Sequence, residues 1–168
     1  MGKINNCNTC KDVSENKDLC KSCTDKYNRK KILVICTGNS CRSQMAEGWL
    51  RSFDERLEII SAGVKPEVSV NRFAIKVMKE VDINIENHYT KSVYDYSNKE
   101  FDYIVTVCDN AKAKCPVFSS KDAKYIHIPL EDPADATGSD EEITEVYRKV
   151  RDEIRDKFYE LYKEIIRE

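Results

Sequence analysis

The order of apolar patterns from Lys31 onward constrains the fold of this chain more than any other feature. Four short apolar runs typical of buried strands alternate with segments whose apolar residues recur at helical spacing. The strand-like runs are KILVI (31–35), LEIISAG (57–63), FDYIVTVC (101–108) and AKYIHIPL (123–130), and the helical patterns are SQMAEGWLRSF (43–53), VNRFAIKVMKEV (70–81) and the closing stretch from residue 141. This order predicts a small doubly wound α/β domain, with four parallel strands, right-handed crossovers and helices on both faces of the sheet.

The closing stretch predicts one long helix. Its apolar stripe consists of Ile143, Val146, Val150, Ile154, Phe158, Leu161 and Ile165.

Length and charge limit the classes of function. A chain of 168 residues suits one α/β domain with a small appendage. The formal net charge of -2 gives no basic footprint for nucleic acid. The sequence has neither a secretory leader pattern nor an apolar run long enough to span a membrane. We therefore expect a cytoplasmic protein without a nucleic-acid or membrane partner.

The segment CTGNSCRS (36–43) follows the first predicted strand and leads into the first predicted helix. Ligands of such sheets bind beyond the carboxyl ends of the strands, and backbone N–H groups at a helix N-terminus attract anions. We therefore predict that this segment, the oxyanion loop, binds a tetrahedral oxyanion. Cys36 is the predicted nucleophile, with a pKa lowered by the loop. The predicted oxyanion-binding residues are Thr37, Gly38, Asn39, Ser40, Cys41, Arg42 and Ser43.

Four residues in the loop have three separate expected tasks. The planar guanidinium of Arg42 can bind two oxyanion oxygens at once. Gly38 and Asn39 tolerate a left-handed backbone, and Ser43 is placed to donate its hydroxyl to the Cys36 thiolate. No histidine lies near the loop, and we expect His127, in the fourth strand, to be a core residue with satisfied hydrogen bonds.

The C-x5-R-S motif at the end of a first strand resembles the low-molecular-weight protein tyrosine phosphatase superfamily. The longer string ICTGNSCRSQMAEGW is similar to its thioredoxin-coupled arsenate reductase branch, and the resemblance spans about residues 31 to 166. It implies reduction of arsenate to arsenite without a catalytic cofactor, with phosphate or sulfate as competing oxyanions and thioredoxin as the partner. Asp132 in PLEDPAD (129–135) matches the general acid of the superfamily.

The resemblance also implies a disulfide relay. Cys36 would attack arsenate, Cys108 would attack the adduct, and Cys115 would form the disulfide that thioredoxin reduces. If residues 108 to 115 were helical, the Cα atoms of these two cysteines would lie about 10.5 Å apart, whereas a disulfide requires about 4.4 to 6.8 Å. The segment must therefore unwind during the relay. Cys41 has no step and is expected to be a packing thiol.

Two alternatives to an arsenate reductase remain at this stage. A tyrosine phosphatase would share the loop but need neither Cys108 nor Cys115, which would then be buried structural thiols. Ala134 stands where phosphatases of the superfamily have an aromatic residue, which favours a small inorganic substrate. A zinc-dependent binding or regulatory protein is the more distant alternative.

Some relatives hold a potassium ion near the loop. The matching residues here are Asn39, Glu47, Ser61 and Lys91. The ammonium of Lys91 would repel a cation or replace it, so we expect no potassium site.

Residues 1–30 form a second predicted unit before the domain of residues 31–168. The chain has eight cysteines, and cytoplasmic cysteines are seldom permanent disulfides. The pattern C-x2-C-x9-C-x2-C predicts a structural zinc site in a zinc-knuckle-like appendage, with a redox-active thiol reservoir, thiol-bound arsenite and a disordered tail as alternatives. The predicted ligands are Cys7, Cys10, Cys20 and Cys23.

Overall fold

The computed structural model describes residues 29–114, 116, 118 and 122–165. Four strands and four α-helices lie in these ranges: β1 (Lys31–Cys36), α1 (Arg42–Phe53), β2 (Glu58–Gly63), α2 (Arg72–Lys79), β3 (Tyr103–Thr106), α3 (Asp109–Lys114), β4 (Lys124–His127) and α4 (Asp140–Ile165). Two 3-10 helices cover Val93–Tyr96 and Pro133–Asp135. The predictions for Cys7, Cys10, Cys20, Cys23 and Cys115 lie outside the described residues.

The four strands form one parallel sheet in the order β2-β1-β3-β4, which confirms the predicted α/β fold. The connection from β1 to β2 runs in one direction along the sheet and that from β2 to β3 in the other, so right-handed crossovers cover both faces. Strand β1 pairs on both sides, and all of its residues after Lys31 are buried. This explains why its sequence is continuously apolar rather than alternating.

Helix α4 packs against α1 and α2 and closes one side of the core. Its buried stripe differs from the predicted one in the first turns, where Thr144 and Tyr147 are buried and Ile143 and Val146 are only partly covered. Tyr147 packs against Phe73 of α2, with ring centroids 5.5 Å apart. The aromatic contact therefore sets which face of the helix turns inward. None of the helices that the structure describes is long and apolar enough to cross a membrane.

His127 lies at the margin of the core rather than inside it, because β4 is an edge strand with an exposed first half, whereas the predicted satisfaction of its hydrogen bonds is confirmed. The side chain of His127 is 19% exposed, and both of its ring nitrogens are paired. Nδ1 lies 2.9 Å from Thr106 Oγ1, and Nε2 lies 3.1 Å from Asp109 Oδ1. His127 therefore joins the end of β3 to the start of α3.

Candidate active site

The oxyanion loop (36–43) lies between the carboxyl end of β1 and the first turn of α1. Its carbonyl groups face the segment that follows β2. Cys36 O accepts from Val64 N at 3.2 Å, Thr37 O from Lys65 N at 2.9 Å, Gly38 O from Glu67 N at 2.8 Å and Ser40 O from Asn71 N at 2.9 Å. These hydrogen bonds hold the carbonyls away from the loop interior and fix the loop against residues 64–71.

Asn39 gives the loop its curvature. Its φ of 51° is left-handed, as predicted for an asparagine here. Its side-chain Nδ2 donates to Ser43 Oγ at 2.8 Å and to Ser61 Oγ at 2.9 Å, and its Oδ1 accepts from Lys91 N at 2.7 Å. Asn39 is fully buried, so these bonds also satisfy an amide that would otherwise be costly.

Two glycines lie where neighbouring atoms approach closely, a side chain at Gly38 and backbone at Gly63, and neither has a left-handed backbone. A Cβ on Gly38 would lie 2.8 Å from Glu67 Cγ, whereas the left-handed backbone expected there is found at Asn39 instead. A Cβ on Gly63, at the end of β2, would lie 2.7 Å from Thr37 O and 3.0 Å from Asn39 N. The sequence identified Gly63 only as the end of a strand, but it lets β2 contact the loop.

Cys36 lies at the centre of the loop with its thiol in two short contacts. Its Sγ lies 2.9 Å from Ser43 Oγ, as predicted, and accepts from Asn39 N at 2.9 Å. Burial nevertheless raises the pKa of Cys36, outweighing the opposing effects of Ser43, Asn39 and Arg42. The expectation of a lowered pKa is therefore wrong for this arrangement of the loop.

The position of Arg42 is one reason why the pKa of Cys36 is not lowered as expected. Its guanidinium does not bond to the sulfur but donates to Leu130 O at 3.1 Å and to Asp132 Oδ2 in a short contact. The charge of Arg42 is thus shared with a carboxylate. Asp132 also accepts from Ala134 N at 3.2 Å and begins the 3-10 helix Pro133–Asp135. The structure therefore brings the predicted oxyanion ligand and the predicted general acid into direct contact.

The loop and the segments around it enclose a cavity of about 110 Å³, several times the volume that one water molecule occupies. Its lining combines a thiol, a guanidinium and two carboxylates. The lining residues are Cys36, Thr37, Gly38, Ser40, Cys41, Arg42, Glu67, Asp132 and Ala134. Glu67 was missed by the sequence analysis, because nothing in its spacing indicates that the loop after β2 passes over residue 38.

Cys108 follows β3, so it lies at the carboxyl ends of the strands, as Cys36 does. Its Sγ lies 3.2 Å from Thr37 Oγ1, which connects it to the oxyanion loop, and accepts from Ala111 N at 3.4 Å. The side chain is buried. Helix α3 begins directly after it and occupies most of the interval to Cys115, so a helix separates the two cysteines as the sequence argument supposed.

Cys41 contacts another part of the core. Its buried Sγ lies 3.3 Å from the hydroxyl of Tyr147 in α4, and burial raises the pKa of the thiol. These contacts agree with the expectation that Cys41 packs the loop.

Two of the residues that match the potassium site of some relatives form a buried ion pair. Lys91 Nζ lies 3.6 Å from Glu47 Oε2, with 10% and 6% of the two side chains exposed. Glu47 accepts from Ser61 Oγ at 2.6 Å, and Ser61 in turn bonds to Asn39. Burial opposes ionisation of Glu47, but the Ser61 hydrogen bond and the Lys91 charge outweigh it and lower the pKa of Glu47. In the part of the chain that the structure describes, no group of acidic, cysteine and histidine side chains is arranged to hold a metal ion.

Comparison with known proteins identifies a family. Residues 31–168 match the family described as low molecular weight phosphotyrosine protein phosphatase. The chain is 45% identical over 131 residues to the arsenate reductase of Oceanobacillus iheyensis, covering 77% of this chain and 92% of that protein.

Two solved structures are similar to the fold. One is an arsenate reductase in its phosphate-binding state, with a TM-score of 0.65 and 27% identity over 81% of this chain and 98% of that one. The other is the low molecular weight protein tyrosine phosphatase from T. tengcongensis, with a TM-score of 0.67 and 25% identity over 80% of this chain and 99% of that one.

Proposed function

This chain belongs to the low molecular weight phosphotyrosine protein phosphatase family, and we propose that within that family it is an arsenate reductase. The observation that carries the proposal is the position of Cys108, whose Sγ lies 3.2 Å from Thr37 Oγ1 of the oxyanion loop. A hydrolase needs only water after its covalent step, whereas a reductase needs a thiol beside the nucleophile to supply electrons. The arsenate reductase of Oceanobacillus iheyensis, 45% identical, supports the same choice.

The first step forms a bond between sulfur and arsenic. Arsenate binds in the loop, the Cys36 thiol passes its proton to the Asp132 carboxylate, and the Cys36 sulfur attacks arsenic(V). An arsenic–oxygen bond breaks, and the oxygen leaves as water after receiving a proton from Asp132. Arg42, released from Asp132, binds two oxygens of the arsenate. Thiolate formation and the release of Asp132 for proton transfer thus depend on the same movement of Arg42.

The second step reduces arsenic. The Cys108 sulfur attacks the Cys36 sulfur, and the sulfur–arsenic bond breaks with its electron pair remaining on arsenic, which leaves as arsenite. Two thiols have then been oxidised to the Cys36–Cys108 disulfide, and one arsenic(V) has been reduced to arsenic(III). Cys115 attacks Cys108, frees Cys36 and completes the Cys108–Cys115 disulfide, which thioredoxin reduces. A thioredoxin-fed cycle of this kind belongs in the cytoplasm.

The test is a coupled assay with arsenate, thioredoxin, thioredoxin reductase and NADPH, run beside hydrolysis of p-nitrophenyl phosphate. We expect Cys108→Ser to abolish arsenate turnover and leave ester hydrolysis unchanged, because hydrolysis uses only Cys36, Arg42 and Asp132. Cys41→Ser is the matched control, since it removes another buried thiol of the same loop region. Unchanged arsenate turnover in Cys108→Ser would exclude the relay.

A tyrosine phosphatase is the second candidate, favoured by the family match and by the phosphatase structure of similar fold. Ala134 lines the cavity at the position where the superfamily has an aromatic residue, so no ring there frames a phosphotyrosine. Hydrolysis of phosphate esters without arsenate reduction would favour this candidate. Anion binding without either activity would favour a binding or regulatory protein.

We also propose that Cys7, Cys10, Cys20 and Cys23 bind one structural zinc ion. Four thiolates in two C-x2-C pairs are the donor set that zinc prefers, and the residues between them are too few to form an apolar core. Full-length protein purified without chelator should contain about one zinc per chain by elemental analysis. Less than about 0.2 zinc per chain would contradict the proposal.

A further inference from the structure

Glu67 lines the oxyanion cavity, although the mechanism above gives it no role. Its backbone is held on both sides, because its N–H donates to Gly38 O at 2.8 Å and its carbonyl accepts from Thr90 Oγ1 at 2.8 Å. The side chain lies over Gly38, where an added Cβ would be 2.8 Å from Glu67 Cγ and 3.7 Å from its Oε1. The backbone hydrogen bonds of Glu67 thus place its side chain at the cavity.

The carboxylate of Glu67 differs from the others near the site. Asp132 is paired with Arg42, and Glu47 is paired with Lys91 and Arg51. Among the residues that the structure describes, no donor or cation contacts the Glu67 carboxylate. An unpaired carboxylate in the wall of an anion site repels a bound anion unless that anion offers it a proton, since an ionised carboxylate only accepts hydrogen bonds.

Tetrahedral oxyanions differ in whether they carry such a proton. Near neutral pH, arsenate and phosphate retain at least one O–H group, whereas sulfate has none and carries two negative charges. We propose that Glu67 determines specificity by accepting a hydrogen bond from the O–H of arsenate or phosphate and repelling sulfate. This inference rests on the proposed function only in naming arsenate as the oxyanion that is bound in preference to sulfate.

Glu67 is exposed to solvent as well as lining the cavity, so its carboxylate would act from the solvent-facing part of the cavity wall and favour an anion that offers it a hydrogen. Its repulsive contribution is as important as the attractive one, because sulfate matches arsenate closely in size and shape. The expected consequence is a cavity that binds phosphate in preference to sulfate.

The test measures binding of sodium phosphate and sodium sulfate to the reduced full-length protein by calorimetry at constant ionic strength. We expect the wild-type protein to bind phosphate at least tenfold more tightly than sulfate. In Glu67→Gln, which keeps the shape and removes the charge, the ratio of the two dissociation constants should fall about tenfold, mainly through tighter sulfate binding. Glu67→Ala should change the ratio in the same direction.

Two control variants define the role of the charge. Glu67→Asp, which keeps the carboxylate, should retain most of the preference for phosphate. Glu55→Gln removes an exposed carboxylate just before β2, at the amino ends of the strands and therefore away from the oxyanion loop. It should leave the ratio unchanged. Equal binding of phosphate and sulfate by the wild-type protein, or an unchanged ratio in Glu67→Gln, would overturn the proposal.

Arsenate turnover, measured in parallel, separates this proposal from the proposed function. Glu67→Gln should still reduce arsenate but become sensitive to inhibition by sulfate. If the wild-type protein did not reduce arsenate, the proposed function would fail, while the ratio of dissociation constants would still decide the role of Glu67.

Discussion

The guanidinium of Arg42 donates to the carboxylate of Asp132, which lies 90 positions later in the chain. The residue expected to bind the oxyanion is therefore bonded to the residue expected to protonate the leaving oxygen. Arg42 has only 6% of its side chain exposed, and its second bond, to Leu130 O, holds it in the same orientation. An arriving oxyanion thus competes with Asp132 for Arg42, and its binding leaves Asp132 free to act as an acid.

The first prediction concerns Asp132→Asn. Removal of the carboxylate charge frees Arg42 to face the loop, so the reduced protein should bind phosphate more tightly and the pKa of Cys36 should fall. Arsenate turnover should nevertheless drop about 10²- to 10⁴-fold, because the general acid is lost. Calorimetry with phosphate and the coupled assay measure the two opposite effects.

Asp135→Asn is the matched control, since it changes an exposed carboxylate at the end of the same 3-10 helix. It should alter neither phosphate binding nor turnover. Weaker phosphate binding in Asp132→Asn would show that Asp132 does not compete for Arg42.

The second prediction concerns the pH dependence of Cys36. Its Sγ lies 2.9 Å from Ser43 Oγ, and this hydrogen bond opposes the rise in pKa that burial causes. The bond favours the charged thiolate, so Ser43→Ala should raise the pKa of Cys36 further. Alkylation by iodoacetamide requires the thiolate, so at a pH below the pKa the rate at Cys36 should be lower in Ser43→Ala than in the wild-type protein.

Mass spectrometry of the alkylated protein distinguishes Cys36 from Cys41 and Cys108. Ser40→Ala is the control, because the Ser40 hydroxyl lies 3.6 Å from Cys41 Sγ and makes no contact with Cys36 Sγ in the described structure. An alkylation profile of Cys36 that does not move in Ser43→Ala would contradict this account of the thiol.

Local patterns predicted the fold well because each pattern is a direct consequence of burial. The continuous run KILVI became the central strand, and the helical spacing of residues 43–53 became α1, which begins one residue earlier at Arg42. The edge position of β4 could not be predicted in this way, because strand order depends on pairing between distant segments. The position of His127 at the margin of the core follows from that order.

Only the contacts within the oxyanion loop could be predicted from the sequence. The contact of Ser43 with Cys36 joins the two ends of one short loop between β1 and α1, and sequence spacing indicated it. The contacts of Arg42 with Leu130 and Asp132, and the approach of Glu67 to Gly38, depend on tertiary packing that has no local signal. For the same reason, the raised pKa of Cys36 could not be read from the motif.

The third prediction concerns the buried pair of Lys91 and Glu47. Lys91→Ala leaves the Glu47 carboxylate without its nearest buried cation, although Arg51 still contacts the other oxygen at 2.9 Å. We expect the free energy of unfolding to fall by about 3 kcal/mol, at the low end of the usual cost for breaking a buried pair. Urea denaturation with an unchanged m-value measures this loss.

Lys79→Ala, at the exposed end of α2, should change the free energy of unfolding by less than about 0.5 kcal/mol. Because the ammonium of Lys91 pairs with Glu47, wild-type turnover should also be equal in potassium chloride and sodium chloride. Stimulation of turnover by potassium would contradict the substitution of a lysine for a bound cation.

The last prediction concerns α3 during the relay. The helix separates Cys108 from Cys115, and a helical interval of seven residues spans about 10.5 Å, too far for a disulfide. Lys112 N donates to Cys108 O at 3.0 Å in the reduced helix, and this bond must break when the disulfide forms. The amide of Lys112 should therefore lose hydrogen-exchange protection on oxidation, whereas the amide of Met45 in α1 should keep it. Equal protection of Lys112 in the reduced and oxidised proteins would contradict the predicted unwinding of α3.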